Sequence, residues 1–243
     1  MRDIKIIKYN SKKKISLYNL LNNKYSAVVI NEIFSEKETL KARLELINFF
    51  NTKRYRYNSA MGFFDSSVSH RWDNNSPKLK YKRVMKNAKF KMENKKLFKN
   101  CINILKKSFK LKIKYHKDLK KINKNEPLRF KISPRGSFYP SGGGHYEEHN
   151  DLVHADKTSG EKVVDIIPLS EIKRDYQTGG FAIRNKNKLL VNVEKYMKLG
   201  SVVFIRSKTN HKVQYVDIKE KINKKSYKGR FSLLSVMIAK NKK

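Results

Sequence analysis

The sequence predicts a mainly β chain with flanking helices, an α+β protein whose second half closes into a double-sheet jelly-roll or cupin-like barrel. Three observations carry this. Clear helical periodicity is confined to the first half; from Leu128 onward the chain breaks into short β-branched and aromatic runs; and Gly, Asn and Lys turns separate those runs at the spacing of about eight barrel strands. With 243 residues and no compositional linker, the chain reads as one domain. Within it, 1–127 is helical support and a substrate-loop region, and 128–239 is the barrel.

In the first half, Ser35 followed by Glu38 has the form of a capping box, and Leu40, Leu44, Ile47 and Phe50 recur at helical spacing. A helix is predicted over Glu36–Phe50. Leu97, Cys101, Ile104, Leu105 and Phe109 form an apolar stripe among lysines, which predicts a second helix over Glu93–Phe109 with its lysines in water. Between them, Tyr55–Pro77 mixes Tyr, Phe, Ser and Asn with Trp72, shows no period and reads as a long loop. Tyr55, Tyr57, Phe63, Phe64, Arg71 and Trp72 are candidates for a lid over a site, although a plain hydrophobic satellite cluster is the commoner reason for such residues. His70 and His116 read as surface residues.

The predicted strands are Leu128–Ile132, Ser137–Tyr139, Gly144–His149, Lys162–Leu169, Gly180–Arg184, Leu189–Val193, Ser201–Arg206, His211–Val216 and Arg230–Ala239. Cys101 is the single cysteine and no apolar leader precedes the first charges, the pattern of a reducing, cytoplasmic setting. Lysines and asparagines interrupt every apolar run, so no membrane partner is expected. The net charge of +36 raises nucleic acid as a partner. Lys far outnumbers Arg, however, and the basic residues are spread along the chain, denser from Lys86 to Lys124, with few in an arginine-and-aromatic cluster. That is the pattern of an AT-rich coding sequence, and nucleic acid is not favoured.

The segment from Tyr139 to Asp151, Tyr-Pro-Ser-Gly-Gly-Gly-His-Tyr-Glu-Glu-His-Asn-Asp, carries the chemistry. On an extended strand, His149 and Asp151 share a face, and His211, at the start of a later strand, supplies a third ligand. Two imidazoles and one carboxylate leave open positions on Fe(II), the set that suits oxygen activation. A lone His-x-Asp is weak evidence, and His154-Ala-Asp156 repeats it five residues on, on the opposite face of an unbroken strand. The first pair is preferred for its flanking pattern. Arg230 and Ser232 share a face of the last strand, and a guanidinium beside a hydroxyl suits a carboxylate. The commoner role of such an Arg is a strand-end salt bridge. Tyr139 could donate to the same carboxylate, or be a packed core tyrosine.

In these blocks the chain resembles the Fe(II)/2-oxoglutarate-dependent oxygenase superfamily, most closely its prolyl-hydroxylase-like branch. The resemblance spans about Leu128 to Ala239. It rests on Tyr139 to Asp151, Val164-Asp-Ile-Ile-Pro-Leu-Ser, Gly179-Gly180-Phe181, Gly200-Ser-Val-Val-Phe with His211-Lys-Val-Gln-Tyr-Val, and Gly229-Arg-Phe-Ser-Leu-Leu, in that order. It implies a distorted double-stranded β-helix, iron on His149, Asp151 and His211, and 2-oxoglutarate on Arg230, Ser232 and Tyr139. It also implies O2 as oxidant, release of succinate and carbon dioxide, room for ascorbate as a reductant, and iron-centred chemistry with no separate protein acid or base. The basic stretch Lys219–Lys228 is an insertion relative to many members.

His145, Tyr146 and Glu147, beside the metal pair, join Arg71 and Trp72 as candidates for substrate contact. The expected reaction is hydroxylation of a small molecule, amino acid or peptide side chain. The alternatives are oxidative demethylation of nucleic acid and a barrel that binds without catalysis.

Overall fold

The computed structural model describes residues 3–10, 15–51, 56–57, 68–121, 130–154 and 162–239. Tyr55, Phe63, Phe64 and Asp156 lie outside the described residues, as do the side chains of Tyr57, His70 and His154. In chain order the elements are β1 (Ile4–Lys8), α1 (Leu17–Asn23), β2 (Ala27–Asn31), α2 (Glu36–Phe50), β3 (Arg56–Tyr57), β4 (Val68–Asn74), β5 (Arg83–Phe90) and α3 (Lys95–Lys120). The second half adds β6 (Phe130–Pro140), β7 (Gly144–His149), β8 (Val163–Pro168), β9 (Gly180–Arg184), β10 (Leu190–Asn192), β11 (Val202–Arg206), β12 (His211–Val216) and β13 (Gly229–Ala239).

The strands form one curled sheet in the order β1-β2-β11-β8-β13-β6-β5-β7-β12-β9-β10, with β4 joined to β5 and β3 to β4. β5 turns the corner, pairing β6 through Lys86–Lys89 and β7 through Arg83 and Val84. Side chains alternate across the strands, so each central strand feeds two cores. Val28 and Ile30 of β2, Val202 and Phe204 of β11, and Phe231 and Leu233 of β13 pack outward under the helices. Ala27, Val29, Val203 and Ile205 point inward with Ile166, Phe181 and Ile183. Burial on both faces explains why these strands read as unbroken apolar runs.

The helix over Glu36–Phe50 has the predicted bounds, and its capping box is complete: Glu38 N–H donates to Ser35 Oγ at 3.1 Å and Ser35 N–H to Glu38 Oε2 at 2.8 Å. Helix α3 runs past the predicted Phe109 end to Lys120 because its buried face continues through Lys112 and Tyr115. His116 is therefore fully buried, not a surface residue as expected. Lys112 Nζ donates to Asp165 Oδ1 at 2.9 Å, and Ser108 Oγ to Asp165 Oδ2 at 2.6 Å, tying α3 to β8 beneath it.

Two expectations are corrected. The loop over Tyr55–Pro77 contains β3 and β4, and β4 pairs along its whole length with β5, which periodicity missed because β4 is mostly polar and Lys86, Asn87 and Lys89 break the apolar pattern of β5. The two runs around Leu128–Ile132 and Ser137–Tyr139 are one strand, β6, continuous through Pro134 and Gly136. Gly136 is a packing site there and not a turn: a Cβ would lie 2.4 Å from Leu46 Cδ2 of α2.

Helix α3 is non-helical at Phe98 (φ −133°, ψ 38°), and the backbone N–H groups of Asn100 and Cys101 both donate to the Glu45 carboxylate of α2, at 2.9 and 3.0 Å. Glu45 thus caps the helix where it restarts. Glu45→Ala is expected to lower unfolding free energy by about 1–2 kcal/mol, the usual cost of a lost cap, read from the urea midpoint at constant slope.

Candidate metal centre and its cavity

His149 is the last residue of β7 and His211 the first of β12, and the two are directly paired across the antiparallel ladder. Their rings lie 4.4 Å apart. The chain leaves the strand at Asn150, and Asp151 opens a 3-10 turn held by its N–H donating to Ser207 O at 2.9 Å. Strand parity therefore does not continue to Asp151, contrary to the basis on which the pair was read; the turn delivers the carboxylate, 3.8 Å from His211 Nε2. One ligand atom from each of His149, Asp151 and His211 lies within 4.8 Å of the others.

Both imidazoles make the same local bond. Nδ1 of His149 meets Glu147 O at 2.8 Å, and Nδ1 of His211 meets Thr209 O at 2.9 Å. A carbonyl only accepts, so Nδ1 carries a proton on each ring and Nε2 is the nitrogen left to face a metal. Burial, and then the neighbouring His211 ring, push the His149 imidazole down to about 4, which favours the neutral form that ligates. Tyr146 stacks on His149 at 4.0 Å, and its hydroxyl accepts from Arg83 Nη1 at 2.8 Å.

On the opposite wall, β13 pairs β6 with Arg230 facing Tyr139 and Ser232 facing Ser137. All four line the cavity that holds the two histidines and Asp151. Arg230 is 1% exposed. Its Nε donates to Glu194 Oε2 at 2.9 Å and its Nη1 to Ser232 Oγ at 3.1 Å, whereas its buried Nη2 has no hydrogen-bond partner among the described residues. Burial is the largest influence and opposes the Arg230 charge, but Glu194, Tyr176 and Tyr139 together more than offset it and hold the group above its ordinary range. Tyr139 is pushed up to about 12 by burial against the opposing charge of Arg230, so its hydroxyl is a proton donor.

Glu194 was not among the expected residues. It is buried in a 3-10 turn and also accepts from Tyr176 Oη at 2.5 Å and Phe181 N–H at 2.6 Å. Gly180 (φ +96°) makes room for it, since a Cβ there would lie 2.5 Å from Glu194 Cγ. The Gly179-Gly180 turn was the available signal for a close approach at this point. The loop after β12 is stitched back by Ser141 Oγ donating to Asp217 Oδ2 at 2.7 Å and Ser141 N–H to Lys228 O at 3.0 Å. The basic insertion therefore returns the chain to β13 in register.

Among solved structures, a Pseudomonas putida prolyl-4-hydroxylase matches with a TM-score of 0.59 over 89% of this chain and 94% of its own, at 12% identity. A Trichoplax adhaerens prolyl hydroxylase, solved with a hypoxia inducible factor oxygen degradation domain peptide fragment, gives 0.50 over 92% and 88%, at 12%. JOX2 in complex with 2OG, Fe and JA gives 0.61 over 98% and 76%, at 12%. The fold is the double-stranded β-helix of the 2-oxoglutarate/iron oxygenases. No protein-family model matches the sequence, and no curated protein does. No described helix is long and apolar enough to cross a membrane.

Of the residues expected near substrate, Tyr146 lines the cavity and the others do not. A bulge separates them: Glu147 and Glu148 stand opposite Lys212 alone, which turns Tyr146 onto the face of His149. Glu147 instead accepts from Lys82 N–H at 2.8 Å, and His145 is 4% exposed, its ring against Tyr215 and its Nδ1 on Gly143 O. Trp72 is buried beside Lys86. Arg71 pairs with Asp73 at 2.9 Å.

Proposed function

We propose that this protein is an Fe(II)- and 2-oxoglutarate-dependent oxygenase that hydroxylates a small molecule, amino acid or peptide side chain. The observation that carries the reading is one juxtaposition: three metal-ligand atoms and a buried guanidinium with an unmet donor line the same cavity. His149, Asp151 and His211 would hold the iron. Arg230 Nη2, with Ser232 and the Tyr139 hydroxyl, would hold the distal carboxylate of 2-oxoglutarate. An unmet buried donor costs about 1–3 kcal/mol, which an incoming carboxylate would recover.

The donor set fits the metal. Two neutral imidazoles and one carboxylate suit a borderline divalent iron and leave coordination positions open for a co-substrate. Bound there, iron and 2-oxoglutarate supply an oxidant made from O2, with succinate and carbon dioxide released. The chain's own residues position and enclose. The backbone carbonyls of Glu147 and Thr209 fix the ring tautomers, Tyr146 covers one face of His149, and Phe181 packs 5.8 Å from His211.

Anaerobic titration with Fe(II) and then 2-oxoglutarate is expected to give a weak visible charge-transfer band, and admission of air is expected to yield succinate. A protein that gives neither is a binding barrel, and the oxygenase reading fails.

A further inference from the structure

We propose that the cavity takes an anionic substrate, a carboxylate with an apolar body, and that Arg135 holds the carboxylate. The inference rests on the oxygenase reading for what happens to that substrate, but its evidence is separate from the metal ligands.

The alternation of β6 and β13 puts two guanidiniums on one inward face. Arg230 pairs with Tyr139 and Leu234 with Arg135. Arg135 therefore stands four residues along the ladder from Arg230, roughly 13 Å at strand rise. The two are in different electrostatic situations. Arg230 has Glu194. Arg135 has no ion-pair partner among the described residues, and its Nε is buried with no hydrogen-bond partner.

Two arginines of the neighbouring strands, unlike Arg135, have a carboxylate partner. Asp73 Oδ2 accepts from Arg71 Nε at 2.9 Å and from Arg83 Nε at 2.8 Å. Arg83 is further committed to the Tyr146 hydroxyl. Burial, and then the charge of Arg71, hold Arg135 below its ordinary range, with Asp151 opposing. Asp151 is a proposed iron ligand, so its charge is spent on the metal.

A half-buried guanidinium whose buried Nε has no acceptor is completed by a planar anion that accepts from its fork. The rest of the wall defines the body of the ligand. Leu234 and Val236 continue the inward face of β13, and Val164 lies on the neighbouring strand. They offer apolar contact and no hydrogen bonds. A carboxylate on Arg135 with its hydrocarbon along this wall would lie in the cavity that holds His149, Asp151 and His211.

The test is calorimetric titration of the full chain, loaded anaerobically with Fe(II) and 2-oxoglutarate, with two matched pairs: hexanoate against hexanamide, and phenylacetate against phenylacetamide. On the native protein the carboxylates are expected to bind at least about tenfold tighter than their amides, the low end for a buried charge pair. In Arg135→Met the ratio is expected to fall to about one, with Arg135→Lys between, because a point charge lacks the fork. The visible band of the iron and 2-oxoglutarate complex reports the co-substrate site independently.

Equal binding of acid and amide, no binding of any probe to the native protein, or a preference retained in Arg135→Met overturns the proposal. So does loss of the band in Arg135→Met, which would assign Arg135 to the co-substrate. A native protein that prefers the acids but gives no band keeps the anion site and removes the oxygenase reading.

Discussion

Asp151→Ala is expected to reduce succinate formation to the level of the metal-free protein and to abolish the anaerobic visible band. The reason is charge. The two imidazoles are neutral ligands, so Asp151 is the one anion the triad offers a divalent cation. Removing it leaves two nitrogen donors, too few to hold iron against water. The 3-10 turn that carries Asp151 is pinned by its backbone N–H to Ser207 O, a bond alanine keeps, so the variant should fold as the native protein does. Iron content by elemental analysis and the thermal midpoint separate metal loss from unfolding. His154→Ala is the paired control and is expected to bind iron normally. If Asp151→Ala keeps its iron and His154→Ala loses it, the centre lies at the second His-x-Asp.

The comparison of that centre with its sequence shows what local pattern can and cannot carry. The capping box at Ser35 and Glu38 set the start of α2 because both partners are three residues apart and need nothing else from the fold. The shared face of Arg230 and Ser232 was legible because β13 is regular there. His149 and Asp151 were reached by strand parity although the strand stops between them, so the residues converge for a reason the pattern did not contain.

Glu194 and Arg135 were illegible for opposite reasons. Glu194 sits in a 3-10 turn, 36 positions from the arginine it pairs with, and only the closed barrel brings them together. Arg135 lies between Pro134 and Gly136, which read as a break between two strands; the structure uses the glycine to admit Leu46. β5 was hidden because Lys86, Asn87 and Lys89 break its apolar pattern, and Lys86 is itself buried.

Glu194→Ala is expected to destabilise the protein by about 3–5 kcal/mol, the cost of leaving one member of a buried ion pair without its partner. The lost carboxylate strands the Arg230 guanidinium and also leaves Tyr176 Oη and Phe181 N–H without their acceptor. If Arg230 faces a co-substrate carboxylate, that anion replaces part of what the mutation removed. Under anaerobic Fe(II), a given concentration of 2-oxoglutarate should then raise the thermal midpoint of Glu194→Ala more than that of the native protein, because it binds only the folded state. An equal or smaller rise would make Arg230 purely structural.

Arg230→Ala is the converse. It should strand Glu194 at a similar cost in stability, weaken 2-oxoglutarate by roughly 2–5 kcal/mol, and show almost no rescue. The double replacement Arg230→Met with Glu194→Leu separates the two roles of the pair. Apolar residues of similar volume often match a buried ion pair in stability, so the double variant should recover much of what either alanine variant loses. It should still fail to bind 2-oxoglutarate, since the donor that has no partner among the described residues, Arg230 Nη2, is gone.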